Sequence, residues 1–367
     1  MTPPVATDGA RARPAGYSPQ LDGLRAVSVA AVAYSHWLPA WQFGVPLGAG
    51  VHLFFVLSGF LITRILLALR DAPRRGQAVR RFYVRRALRL FPAFYLVLVL
   101  AWLADVPRVR ETWAWHAAYL SNLRVASDAR WMGHVSHFWS LAVEEQFYLL
   151  WPWLIVWSPR AWLGPILAAA VLSGPVSRYI AASVGLAEPF WALVPAGSAD
   201  SLGVGALVAW ATWRRGAVPP SAGARWAARG LLAVAATAWM VLAISDAGEL
   251  PLAPAWAVWR QLLQGVVFAW VVWRAVAGFT GPVGDLLAHP WTVAVGRISY
   301  GVYLIHAFAP VVVYAAVRLL HAEPLMPAAP VARAAIYAAT TLGLATFMWR
   351  LVERPLLALK TRVPYAR

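Results

Sequence analysis

Gln20-Leu-Asp-Gly-Leu-Arg-Ala-Val-Ser-Val-Ala-Ala-Val-Ala-Tyr-Ser-His36 opens the first long apolar segment of the chain. It reads as a membrane helix with a polar residue towards each end. Arg25 and His36 are eleven residues apart, which at about 100° per residue is three turns plus roughly 20°, so the two side chains share a helix face. The rise between them is about 16 Å, roughly half the hydrocarbon thickness of a bilayer. With Arg25 at one surface, His36 is expected near mid-bilayer on the same stripe. A polar group at that depth is costly and by default marks function.

The rest of the chain supports a membrane reading. Its 367 residues are 61% hydrophobic, with a mean hydropathy of +0.60. Both values are too apolar for a soluble domain of this size. The formal net charge is +17, and Lys360 is the only lysine, so the basic residues are almost all arginine. In a soluble protein that excess would point to nucleic acid; here it fits cytoplasmic loops, and no nucleic-acid partner is expected. The absence of cysteine rules out disulfides and thiol chemistry.

Ten apolar segments are expected, at roughly 24–41, 49–69, 90–106, 138–157, 161–180, 190–213, 230–245, 255–275, 291–317 and 331–353. The fold class is therefore all-α and polytopic, with about ten transmembrane helices. No internal repeat is evident, which weakens an inverted-repeat transporter reading. Residues 70–89 carry eight arginines against Asp71, so this connection is expected in the cytoplasm, together with both termini. The domains are expected as an N-terminal tail over 1–16, a membrane domain over 17–357 and a C-terminal tail over 358–367. The tail over 1–16 lacks an apolar stretch of its own and reads as preceding an uncleaved first helix. Residues 246–254 carry Asp246 and Glu249 and no arginine, as suits the outer side. The longest outer connection, 107–137, holds His116, His134 and His137 among tryptophans and reads as interfacial.

Several polar groups reach a depth similar to that expected of His36. Glu144 and Glu145 lie about 10 Å into the fourth segment and Ser58 about 12 Å into the second. A histidine beside a carboxylate in a dry cavity makes a general base with an orienting partner. Adjacent carboxylates point about 100° apart, so one of the two is expected to face His36 and the other an arginine. No protein nucleophile is evident, although His36 itself can carry an acyl group in passing. Asp200 and His306 read as structural or acceptor-lining. Asp22, Ser58, Trp139, Tyr148 and Tyr303 complete the expected cavity lining. Arg85 and Arg89 share a helix face with Arg86 on an adjacent stripe; such forks suit phosphate, but spacing alone favours a positive-inside anchor on anionic lipid. No metal site is expected.

These residues also carry a resemblance over nearly the whole chain. The opening with Arg25 and His36 resembles the R-x10-H motif of acyltransferase family 3, bacterial membrane acyltransferases that act on saccharides and antibiotics. Gly50–Thr63 resembles its second-helix motif, and Arg85, Arg86 and Arg89 match its R-R-x-x-R motif. Ser140–Tyr148 is similar to its fourth-helix signature, with Gly296–His306 and Glu353-Arg354-Pro355 following in order. The resemblance implies transfer of an acyl group, usually acetyl, from cytoplasmic acetyl-CoA to a hydroxyl. It implies a catalytic role for His36 and acyl-CoA contacts for Arg25, Arg85, Arg86 and Arg89. Acetyl-CoA is then a co-substrate, with no tightly bound cofactor. The implied acceptor is a saccharide, a lipid-linked glycan or a glycosylated natural product, and the implied site is the cytoplasmic (inner) membrane. A second catalytic step, which some members place in a C-terminal soluble domain, is not expected. The competing classes are a transporter of a glycan or anion and a structural membrane subunit.

Overall fold

The computed structural model describes residues 18–42, 46–186, 188–194, 196–216, 222–246 and 254–364. The tail over 1–16, Glu249 and Arg367 lie outside the described residues. Among the described residues the fold is all-helical, with no strand.

The first segment forms α1 (Pro19–Trp37), which begins about five residues earlier and ends about four residues earlier than expected, so His36 falls in its last turn. Pro19 at the start supplies no N–H where none is needed, and Leu38 closes the end. α2 (Gly50–Leu69) follows. The arginine-rich stretch expected as a loop is instead the first half of one long helix, α3 (Arg75–Leu103). Arginine is a good helix former, and no glycine or proline interrupts residues 77–91. The connection over 107–137 folds into α4 (Val109–Ala117), α5 (Ser121–Asp128) and a short turn at Gly133–Val135.

α6 (Phe138–Trp157) matches its expected bounds, and α7 (Leu163–Ser183), α8 (Ala199–Arg215) and α9 (Ala222–Asp246) continue the bundle. α10 (Pro254–Ala257) is a single turn before α11 (Arg260–Ala277). α12 (Gly281–Ala288) leaves α11 at 82°. The ninth expected segment, 291–317, divides into α13 (Pro290–Arg297), α14 (Ser299–Ile305) and α15 (Ala309–Leu319), with a 60° bend between the last two. α16 (Pro330–Met348) runs through a π-turn at Trp349–Glu353 into α17 (Arg354–Ala358).

Among the described residues, four helices are long and apolar enough to cross a membrane, and six if each bent pair counts as one span. This is fewer than ten because several bundle helices carry polar groups. Glu144, Glu145 and Gln146 lower the hydropathy of α6, as Asp22, Arg25 and His36 lower that of α1. α2 and α8 form the most extensive helix contact. Gly59 and Gly205 make it possible: a Cβ on Gly59 would run into the Leu202 carbonyl oxygen, and one on Gly205 into that of Val56. Small residues let helix backbones approach this closely where lipid offers no hydrophobic drive for association.

Candidate active site

The break between α14 and α15 builds the site. Pro310 has no N–H, so the carbonyl of His306 loses its helical donor four residues on. The amide of Phe308 turns to Ile305 O at 2.8 Å, which frees the carbonyl of Leu304. Side chains then serve the carbonyls around the elbow. His306 Nδ1 donates to Tyr303 O at 2.6 Å, and His137 Nε2 to Leu304 O at 3.3 Å. Trp37 Nε1 donates to His306 O at 3.0 Å, and His134 Nδ1 to Ala307 O at 3.1 Å. Irregular backbone inside a membrane bundle persists where such partners or a cavity accept it.

This elbow brings His306 to the end of α1. His36 Nδ1 and His306 Nε2 are 2.8 Å apart, with the rings stacked at 4.9 Å between centroids. His306 is fully buried, whereas His36 is open to a cavity of about 450 Å³. Trp37, Trp131, His134, His137, Trp139 and Tyr303 also line that cavity, so the connection over 107–137 forms part of its wall. His137 is buried with its ring 4.9 Å from that of His306, and its Nδ1 has no hydrogen-bond partner among the described residues.

A second cavity, of about 70 Å³, lies on the other side of Tyr303. Arg25, Arg86 and Arg89 line it with Ser58, Glu144 and Tyr300. Val51 and Tyr303 belong to the walls of both cavities. The Tyr303 hydroxyl is 2.6 Å from Ser140 Oγ and donates to His137 O at 3.1 Å.

The carboxylate expected beside His36 is elsewhere. Ser58 Oγ donates to Glu144 Oε1 at 2.6 Å inside the arginine-lined cavity, and Glu145 lines neither cavity. The side chain in hydrogen-bond contact with His36 is instead that of His306, which the sequence reads as structural or acceptor-lining. The expected dry setting of His36 also gives way to an exposed position in the last turn of α1, open to the cavity. Arg85 departs from its two companions. It donates to Lys360 O at 2.7 Å and Val363 O at 2.9 Å, fastening the chain end to α3 while Arg86 and Arg89 face the cavity. Arg86 stacks 3.6 Å over the ring of Tyr148, which lies behind the cavity wall. Asp22 stands 4.0 Å from Arg25 as a loose ion pair. Trp139 meets Phe55 edge-on at 5.9 Å and reaches the cavity beside His36.

Asp200 has a structural role. It accepts from Arg178 at 2.7 Å, and the same guanidinium donates to Gly197 O, Gln261 Oε1 and Val258 O. Arg178 was not singled out from the sequence, although an arginine within an apolar segment was a visible signal. Trp37 and His137 were also missed as parts of the site; Pro310, four residues after His306, was the cue to the break that they cap.

A profile of the acyltransferase domain matches residues 18–350. The chain belongs to acyltransferase family 3. Curated relatives of this acyltransferase domain include "Peptidoglycan O-acetyltransferase OatA" of Listeria monocytogenes, 36% identical over 184 residues, 43% of this chain and 28% of the relative. "Putative peptidoglycan O-acetyltransferase YrhL" of Bacillus subtilis is 36% identical over 183 residues, 44% of this chain and 28% of the relative. The chain thus spans little more than a quarter of the length of these relatives. No solved structure matches it.

Proposed function

We propose that this protein is a multi-pass membrane O-acyltransferase that moves an acyl group, acetyl in the first instance, from acyl-CoA to a saccharide hydroxyl. The observation that carries the reading is the pair of cavities divided by Val51 and Tyr303, one rimmed by arginines and the other open to His36. We read the arginine-rich end of α3 as cytoplasmic, in the inner membrane of a bacterium, with both termini on that side. Arg25, Arg86 and Arg89 would then hold the donor's phosphates, as guanidinium forks do. Trp131 and Trp139 offer faces for a sugar ring in the outer cavity. The names of the two relatives favour peptidoglycan among the possible acceptors, ahead of a lipid-linked glycan or a glycosylated natural product.

In this reading the acceptor hydroxyl gives its proton to His36 as its oxygen bonds to the acyl carbon. The carbon–sulfur bond then breaks, and the leaving thiolate takes that proton back. Glu144, held by Ser58, contributes to the donor cavity and does not act as the partner of the base.

The test is transfer of labelled acetyl from acetyl-CoA to a muramyl glycan by purified protein in proteoliposomes. His36→Ala should lower turnover about 10²- to 10⁴-fold, the span of general-base catalysis, with acetyl-CoA affinity unchanged. Undiminished turnover in a well-folded His36→Ala protein overturns the assignment. A labelled covalent adduct on His36 would make it an acyl carrier instead. A transporter would leave acetyl-CoA unconsumed.

A further inference from the structure

We infer that His306 is a positioning residue that holds His36 in the tautomer whose Nε2 lone pair faces the outer cavity. This rests on the reading of His36 as the base for acyl transfer. The assignment follows from what each atom can do. A carbonyl oxygen only accepts, so the 2.6 Å contact between His306 Nδ1 and Tyr303 O requires a hydrogen on that nitrogen. A charged His306 would call for a carboxylate, and its described hydrogen-bond partners are a carbonyl and the imidazole of His36. His306 is therefore neutral, and its Nε2 is an acceptor. His36 Nδ1, 2.8 Å away, must be the donor. That leaves Nε2 of His36 unprotonated, with no described hydrogen-bond partner in the protein, on a ring that lines the outer cavity. The relay runs from Tyr303 C=O through His306 to His36, and every hydrogen in it is set by one backbone carbonyl.

The arrangement does the work that a carboxylate does behind a catalytic histidine: it fixes the tautomer and the ring plane. The stacking of the two rings and the full burial of His306 restrict both χ angles of the pair. The bond to Tyr303 O exists because the helix breaks there, so the elbow and the base are one device. When His36 takes the acceptor proton at Nε2, its Nδ1–H still donates to His306, and the proton later returns to the leaving thiolate. No proton needs to pass to His306.

The test uses the full-length protein in detergent with His306→Ala and His306→Gln. A glutamine can accept from His36 Nδ1–H through its amide oxygen and donate to Tyr303 O through its amide nitrogen. His306→Ala should lower kcat on the order of 100-fold with the KM for acetyl-CoA unchanged, as expected when an orienting partner is lost. His306→Gln should regain at least about tenfold of that loss. The second readout is independent of activity: 15N NMR of histidine-labelled protein, with the His36 signals identified by their absence in His36→Ala. The wild type should show His36 protonated at Nδ1 and bare at Nε2, and His306→Ala should shift that balance. Wild-type activity in His306→Ala, a glutamine variant no better than alanine although equally folded, or His36 protonated at Nε2 in the wild type would each overturn the inference. Active His36→Ala would remove the catalytic reading alone, and the tautomer measurement would still decide the role of His306.

Discussion

Arg178 puts five hydrogen bonds into one buried guanidinium and joins α7 to α8 and to the turn before α11. Removing one partner of a buried ion pair leaves the other charge without compensation. Arg178→Met should therefore cost about 3–5 kcal/mol, seen as a fall in melting temperature in detergent, and Arg178→Met combined with Asp200→Leu should recover part of it. Recovery distinguishes a structural pair from a functional one, because the double variant should also keep transferase activity. The three arginines of the R-R-x-x-R motif separate in a similar way. Arg86→Gln with Arg89→Gln should weaken acetyl-CoA binding measured by calorimetry, and the remaining affinity should depend less on salt. Arg85→Gln should leave donor affinity near the wild type and instead loosen the chain end at Lys360 and Val363. Equal losses from all three would mean that Arg85 also reaches the donor. The spacing of Arg25 and His36 was legible in the sequence because a helix has a fixed period. The partner of His36 was not, because His306 reaches it only through a bend 270 residues away.

At the level of elements, most helices lie within a few residues of the apolar runs that encode them. α8 begins about nine residues later than its run and α9 about eight earlier; two further departures have physical causes. A run of arginines was read as a loop because charge suggested solvent, whereas α3 carries them on a helix whose far half is apolar. Residues 291–317 were read as one segment because hydropathy does not register hydrogen bonding, and Pro310 removes a donor without making the run more polar. The close crossing of α2 and α8 yields a direct test. Gly205→Val should destabilise the protein by several kcal/mol or abolish its expression, since the obstructing atom is the Val56 backbone carbonyl and not a movable side chain. Gly223→Val, at an open position, serves as the control. The connection over 107–137 is expected to make stability depend on pH. His116 in α4 is buried between Thr112 and Phe138, and burial pushes its imidazole down to about 4. Below about pH 6.5 the unfolded chain takes up a proton that the folded chain refuses until about pH 4. That share of stability is complete above this window and is lost as pH falls through it. Melting temperatures at about pH 5 and pH 7.5 should differ less in His116→Gln than in the wild type.

For the whole molecule, the proposal requires donor and acceptor to arrive from opposite faces. With acetyl-CoA sealed inside oriented vesicles and the glycan only outside, acylated glycan should appear outside. Product only when both substrates share one compartment would reject two-sided access. Tyr303 and Val51 are common to the two cavities, and Ser140 and the His137 carbonyl hold the tyrosine hydroxyl in place. Under two-sided access, the insulation of the membrane at this point is about one side chain thick. A protein that passes a two-carbon group must still withhold protons, or it would discharge the gradient of the cell that makes it. Tyr303→Ala should then do more than slow transfer: vesicles carrying it and loaded with a pH-sensitive dye should lose an imposed proton gradient faster than vesicles carrying the wild type. The tyrosine would thus be under selection for electrical tightness as well as for chemistry.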